Sequence, residues 1–245
     1  TSSATGGFTS TWTSAKTSGT AISFTGASNG TSNNGRGVIS WAGTNLVTVS
    51  ATGGGDIAIT GTASTNTTQA VSINYANIYA AGGAINISGG AKQVAFGETG
   101  ANNIGGSSTT SLAGEITVKA DSISIAATVG SAAFKNASKL SLISDGVKFS
   151  SAQTLGAGTS ITNIGSLQVG LDTNTADVTL NGAVSVGGPI NIYGGNLTMS
   201  AGLTTTATTG IRSILAKGAG NISAASLTTS GGDITLWSDS DANST

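Results

Sequence analysis

Gly54-Gly-Asp-Ile-Ala-Ile59, Gly82-Gly-Ala-Ile-Asn-Ile87, Gly187-Gly-Pro-Ile-Asn-Ile192 and Gly231-Gly-Asp-Ile-Thr-Leu236 are four copies of one small unit, with a looser copy at Ala113-Gly-Glu-Ile-Thr-Val118. Each joins a turn to a short strand. Glycine supplies the positive-φ backbone that a tight turn requires. The alternation that follows puts two apolar side chains on one face of a strand and a small polar one on the other. Some copies stand near 28, 31 and 44 residues apart, so the insertions between them differ in length. A strand-and-turn unit recurring this irregularly is the mark of a solenoid.

The same alternation continues without the glycine pair. It is found at Ile22-Ser-Phe24, Val47-Thr-Val49, Val71-Ser-Ile73, Ile123-Ser-Ile125, Leu140-Ser-Leu142 and Leu167-Gln-Val169. Val178-Thr-Leu180, Val184-Ser-Val186 and Leu197-Thr-Met199 extend the series. Strands this short do not make a stable open sheet or hairpin unaided. Stacked as the coils of a parallel β-helix, each pairs its backbone with the turns before and after it. The expected fold class is therefore all-β, a parallel β-helix or β-solenoid. At about 20 residues per coil the chain makes roughly a dozen coils and a rod of about 55 Å. Two local departures are expected. Asn181-Gly182 could join Val178–Leu180 to Val184–Val186 as a short hairpin, with Asn29-Gly30, Asn34-Gly35 and Asp145-Gly146 as further turn signals. The stretch from Ser131 to Lys139 is the only one that offers even a candidate helical turn. No linker or composition shift divides the chain, so residues 1–245 read as one continuous body.

Composition narrows the chemistry. Only 8% of the 245 residues are charged and the net charge is −1, where an ordinary domain carries about a quarter charged residues. Cys and His are absent, which excludes disulfides, Cys or His zinc sites and any His-based catalytic triad. Nine cations are too few and too scattered for a nucleic-acid face. No apolar run is long enough to span a membrane. Disorder is also a poor reading, because disordered chains combine low hydrophobicity with high net charge, and here the mean hydropathy is +0.18. In a stacked fold the low charge acquires a reason: identical charges one strand spacing apart repel, whereas Thr, Ser and Asn stack neutrally. Open coil ends without helical caps or charged gatekeepers read as an internal segment of a longer protein, free to stack end to end on neighbouring segments or on copies of itself.

The Gly-Gly-x-Ile-x-Ile units carry a family likeness. It is closest in Ser230-Gly-Gly-Asp-Ile-Thr-Leu-Trp-Ser-Asp-Ser-Asp-Ala-Asn243 and in Ile73-Asn-Tyr-Ala-Asn-Ile-Tyr-Ala-Ala-Gly-Gly-Ala-Ile-Asn-Ile87. These stretches resemble the repeat region of filamentous-haemagglutinin-like bacterial exoproteins, the adhesins exported by two-partner secretion. The resemblance implies a right-handed β-helical shaft at the bacterial cell surface, working in adhesion, aggregation or biofilm without catalysis. Absence of Cys suits a chain that crosses an envelope unfolded.

Candidate sites are few, and no catalytic, cofactor or metal residue is assigned. Asp239, Asp241 and Asn243 space three oxygen ligands two apart, as a calcium loop does, but the glycine and distal Glu of an EF-hand are missing, and a solvated Asx turn is the alternative reading. Asp172 and Asp177 form an acidic pair, which a polysaccharide-active enzyme would need to aim at one cleft. Arg36 and Arg212 read as isolated cations, where a lyase site needs several clustered acids plus a basic residue. Trp12, Trp41, Trp237, Tyr75, Tyr79 and Tyr193 could stack on a cell-surface glycan or contact a protein partner, against a bland reading as core fillers or ladder rungs. Asn-x-Ser/Thr sequons at Asn29, Asn66, Asn86, Asn136, Asn196, Asn221 and Asn243 are as frequent as a Ser/Thr-rich composition yields by chance. The Thr-rich runs 9–13 and 204–209 suggest an ice-binding array, which requires one Thr position repeated in every coil. That repetition is not visible in the sequence.

Overall fold

The computed structural model describes residues 10–28, 36–40, 46–63, 69–98, 100–127 and 131–240. Among them there is no helix, and every strand pairing is parallel. The chain is a parallel β-solenoid. The glycine units lead into one face, where the inward residues form a ladder in strict register: Ile22, Ile57, Ile85, Ile116, Leu140, Leu167, Ile190, Ile214 and Ile234. A second inward ladder runs beside it, from Phe24 through Ile59, Ile87, Val118, Leu142, Val169, Ile192 and Ala216 to Leu236.

These nine rungs among the described residues fall short of the roughly dozen coils expected. The first and last are 212 positions apart, so a turn averages about 26 residues rather than 20. Eight rung spacings make a ladder about 38 Å long. The 44-residue interval between Gly187 and Gly231 hides one whole turn, whose rung Ile214–Gly218 lacks the Gly-Gly entry.

Two further faces close the prism. One stacks Val71, Val94 and Ile123 in register and continues as Val178, Leu197 and Ile222. The other stacks Trp12, Val49, Ile78, Ile104, Phe134 and Ile161, then Val184, Leu203 and Leu227. From Ile85 to Ser144 single long strands, Ile85–Phe96, Ala113–Ile125 and Ala132–Ser144, run across a corner and serve two faces each. The three apolar surfaces meet in one buried cluster that includes Phe96, Phe134 and Phe149. Phe96 and Phe134 pack edge to face at 5.8 Å between centroids.

Corners impose the strictest residue requirements. At Gly82-Gly83 the first residue has φ of 89°, and a Cβ on the second would land inside the carbonyl oxygen of Gly55 one turn earlier. Gly54-Gly55 and Gly231-Gly232 divide the two roles the same way. Other corners use buried side-chain amides in place of backbone. Asn102 accepts from the Ala76 amide at 3.0 Å and donates to the carbonyls of Ile73 at 3.0 Å and Ser131 at 2.6 Å, so it ties three successive turns together. Asn174 accepts from Phe149 N and donates to the Tyr193 carbonyl at 2.8 Å, and Gln153 accepts from Ile123 N. Each polar group is buried but bonded, as burial demands.

Two sequence expectations are corrected. Residues 131–139 do not form a helical turn: Ala132–Ser144 is a strand, paired on one side with Asn103–Gly105 and on the other with Thr159–Ile164. Ladder pairing on both edges and an inward Phe134 outweigh the local helical preference of its alanines and lysines. Nor does Asn181-Gly182 make a hairpin, because Val178–Leu180 and Val184–Val186 belong to different sheets and the dipeptide turns a corner between them. Asn29-Gly30 and Asn34-Gly35 lie outside the described residues.

The corner geometry sets a test. Gly83→Ala should lower unfolding stability in urea by about 2 kcal/mol or more, because the new Cβ meets backbone that cannot yield. Gly146→Ala, where nothing lies within 4 Å of the added Cβ, should change it by less than about 0.5 kcal/mol. Equal effects of the two substitutions would contradict the assigned close approach.

Candidate functional site

Outward positions of the first face decide what the rod presents to solvent. Strands Ile190–Gly194, Ile214–Gly218 and Ile234–Trp237 place Tyr193, Lys217 and Trp237 in register, one above another in a single column. The Lys217 ammonium lies 2.6 Å from Asp172 Oδ1 and 4.9 Å from the centre of the Trp237 indole. The lysine side chain is only 18% exposed, whereas Asp172 is 68% exposed. Burial raises the pKa of the Tyr193 phenol above 10.0, with the Asp172 charge adding to the rise and Lys217 opposing it. The phenol therefore keeps its proton across the physiological range and can donate. Neutral polar neighbours complete the surface: Gln168 and Asn191 share the adjacent column with Leu215.

A related arrangement occurs on another face. Tyr79, Gly105 and Lys135 share a column, and Lys135 reaches across the glycine to lie 5.5 Å from the Tyr79 ring centre. There the polar groups are already occupied, with Lys135 donating to Asn103 at 3.0 Å and Asn103 to Asn77 at 2.9 Å. That cluster is closed on itself.

The remaining sequence candidates separate. Asp172 and Asp177 share the connection between Leu167–Val169 and Val178–Leu180 but have different partners: the first pairs with Lys217, while the second accepts from the Asn196 backbone at 2.7 Å. Arg36 is not isolated as expected: it donates to Gln69 and pairs with Glu98 at 3.0 Å, whereas Arg212 bonds the carbonyls of Thr208 and Ser230. Trp12 points inward, in register with buried Val49 and edge-on to Phe24 at 5.3 Å. Tyr75 sits at a corner with φ of 50°, against Gly100. Asp239 has φ of 54°; Asp241, Asn243 and Trp41 lie outside the described residues, as do the sequons at Asn29 and Asn66. Of the remaining sequons, Asn136 is buried and bonded to the Gly106 carbonyl, Asn196 accepts from the Asn221 backbone amide at 3.0 Å, and Asn221 is exposed. Asn86 is exposed on the first face.

Threonine repetition, invisible in the sequence, is present in the fold. Thr154, Thr179, Thr198 and Ser223 occupy one outward position on four successive rungs of the second face, and Ser185, Thr204 and Thr228 do so on the third. Unequal turn lengths hid both columns. Of the two Thr-rich runs noted, only Thr204 contributes. The void lined by Leu155, Thr159, Ile161 and Leu180 has a volume of about 10 Å³, room for a single water molecule.

Lys217 is the member of the first-face column that sequence reading missed. Its strand, Ile214-Leu-Ala-Lys-Gly218, has apolar residues in succession and so shows no alternation. Placing one rung midway in the Gly187–Gly231 interval would have aligned it with Tyr193 and Trp237. Comparison of the chain with protein-family models, with curated proteins and with solved structures returns no match.

Where charges do stack on the first face, opposite signs meet. Glu115 and Lys139 are register partners with a 3.1 Å contact, and Lys119 reaches Asp145 at 3.2 Å. Burial alone would raise the Glu115 pKa, but the hydrogen bond from Ser141 and the Lys139 charge outweigh it and hold the carboxyl below its ordinary 4.5. A depressed carboxyl pKa contributes stability above the unfolded value and loses it as pH falls through the folded one. From about pH 5 downward, the wild type should therefore lose more stability in urea titrations than Glu115→Gln. Parallel losses would remove the assigned ion pair.

Proposed function

We propose that this chain is a non-enzymatic, rod-forming segment of a large extracellular protein of the bacterial surface. It serves as the shaft or filament of an adhesin of the filamentous-haemagglutinin type. The carrying observation is the unbroken apolar ladder from Ile22 to Leu236, which gives the segment length and stiffness. At its far rung Ile234 and Leu236 point inward yet are 45% and 50% exposed, a surface shaped for one more turn. Stacked on a following segment or on another copy, that rung would gain both apolar burial and backbone partners. We take the coil to wind right-handed, the hand that parallel strand crossovers adopt almost without exception. Export by two-partner secretion is part of the same reading and rests on the Gly-Gly-x-Ile-x-Ile likeness.

The shaft reading makes a length prediction. In the surface fibre of the native protein, deletion of this segment should shorten the projection seen by cryo-electron microscopy by about 40 Å. An unrelated solenoid of nine rungs in its place should restore that length. A projection unchanged by the deletion would contradict the role.

A further inference from the structure

We propose that the last described turn carries two backbone-capture points, Asp233 with Ile234 on the first face and Asn221 with Ile222 on the second, which take up the corner residues of one further parallel turn of the same polypeptide. The proposal rests on the shaft reading and names what its far rung recognises. Three interior corners show the device complete. The Ala84 carbonyl accepts from Ile57 N at 2.8 Å while its amide donates to Asp56 Oδ1 at 2.8 Å. The Asn196 carbonyl accepts from Val178 N at 2.9 Å while its amide donates to Asp177 Oδ1 at 2.7 Å. Asn221 is held the same way, by Leu197 N at 2.8 Å and Asn196 Oδ1 at 3.0 Å. In each case two consecutive residues of one turn grip both backbone groups of a single residue on the next. A corner amide lies beyond the strand ladder, and the side-chain oxygen supplies the acceptor it lacks there.

Asp233 holds the place of Asp56. Gly231-Gly-Asp-Ile234 repeats Gly54-Gly-Asp-Ile57 and enters the same face. Its carbonyl already serves Ile214 N at 2.9 Å, and its carboxylate makes no hydrogen bond among the described residues. Asn221 closes the Asp177–Asn196–Asn221 column in the same state, with its backbone engaged by the turn before and its side-chain amide unengaged among the described residues. Both points therefore face onward, beside apolar ladders that end on the same turn. Continuity with the turn-to-turn contact sets the occupant as a parallel turn one strand spacing away. The first described turn of a second copy fits worse, because its strand shifts register between Thr20 and Ile22, where a corner residue would have to meet Asp233. The grip also excludes proline, which has no N–H to give. Pro189, the single proline of the chain, gives its carbonyl to Leu167 N, and the residue below it is Ser166 rather than Asp or Asn.

The experiment is residue-resolved hydrogen exchange on the native surface protein. Asp56→Ala calibrates it and should speed exchange of the Ala84 amide by about tenfold. Asp233→Ala should speed one amide in the turn beyond residue 240 by a similar factor, and Asn221→Ala a second. Asp233→Asn keeps a side-chain acceptor and should leave that amide slow. In the 245-residue chain alone, Asp233→Ala should leave the thermal midpoint unchanged, whereas Asp56→Ala should lower it by about 2–4 °C. Exchange beyond residue 240 that is indifferent to Asp233→Ala, or an Ala84 amide indifferent to Asp56→Ala, would overturn the proposal. So would end-to-end oligomers of the 245-residue chain that dissociate on Asp233→Ala, since they would assign the rung to a second copy. A fibre that shortens when the segment is deleted, yet shows no amide answering to Asp233, would keep the shaft reading and discard this one.

Discussion

Parallel pairing of each turn with the next, at one strand spacing of about 4.8 Å, is the constraint from which the rest of this structure follows. It makes every side chain a close neighbour of the residue at the same position one turn earlier. Inward positions must therefore be apolar turn after turn, as the Ile57–Ile85–Ile116 ladder shows. Outward positions must tolerate stacking, which neutral hydroxyls and amides do and like charges do not. Among the described residues, Glu115 is set against Lys139 and Lys217 against Asp172. Corners must let two backbones approach closely, which accounts for Gly83 and Gly232, or must replace backbone with a bonded amide such as Asn102.

The same constraint shapes what the molecule can do. The apolar ladders fill the interior of the described turns, and the void between the second and third faces is water-sized. Outward clusters are therefore assembled from residues on different turns. The members of the Tyr193–Lys217–Trp237 column are separated by about one turn each and become neighbours only through register.

The fold was legible where sequence and register agree. The Gly-Gly-x-Ile-x-Ile units mark five of the nine first-face rungs directly, and they suffice for the solenoid. The second and third faces were harder to see, for a physical reason. Their inward positions include alanines, as in Ala76–Ala80, or a single isoleucine between small residues, as in Asn103–Gly105, and the alternation is then too weak to stand out. The strand Ala132–Ser144 looked helical because its alanines and lysines favour a helix locally, and only pairing on both edges decides otherwise. The candidate site was half legible. Tyr193, Trp237 and Asp172 could be named from residue type, but their convergence depends on the rung at Lys217, which breaks the alternation. Turn lengths between 20 and 35 residues hid both the number of rungs and the Thr154–Thr179–Thr198–Ser223 column.

The most direct test of the stacking account is a set of distances along the first face. The chain has no cysteine, so single cysteine pairs can carry spin labels without background. Ala58 and Thr235 share one outward column and are seven rungs apart, while Asn86 and Asn191 in the same column are four apart. Double electron–electron resonance should give mean separations near 34 Å for the first pair and near 19 Å for the second, in the ratio of the rung counts. Separations that do not scale with rung number would contradict the parallel, in-register stack.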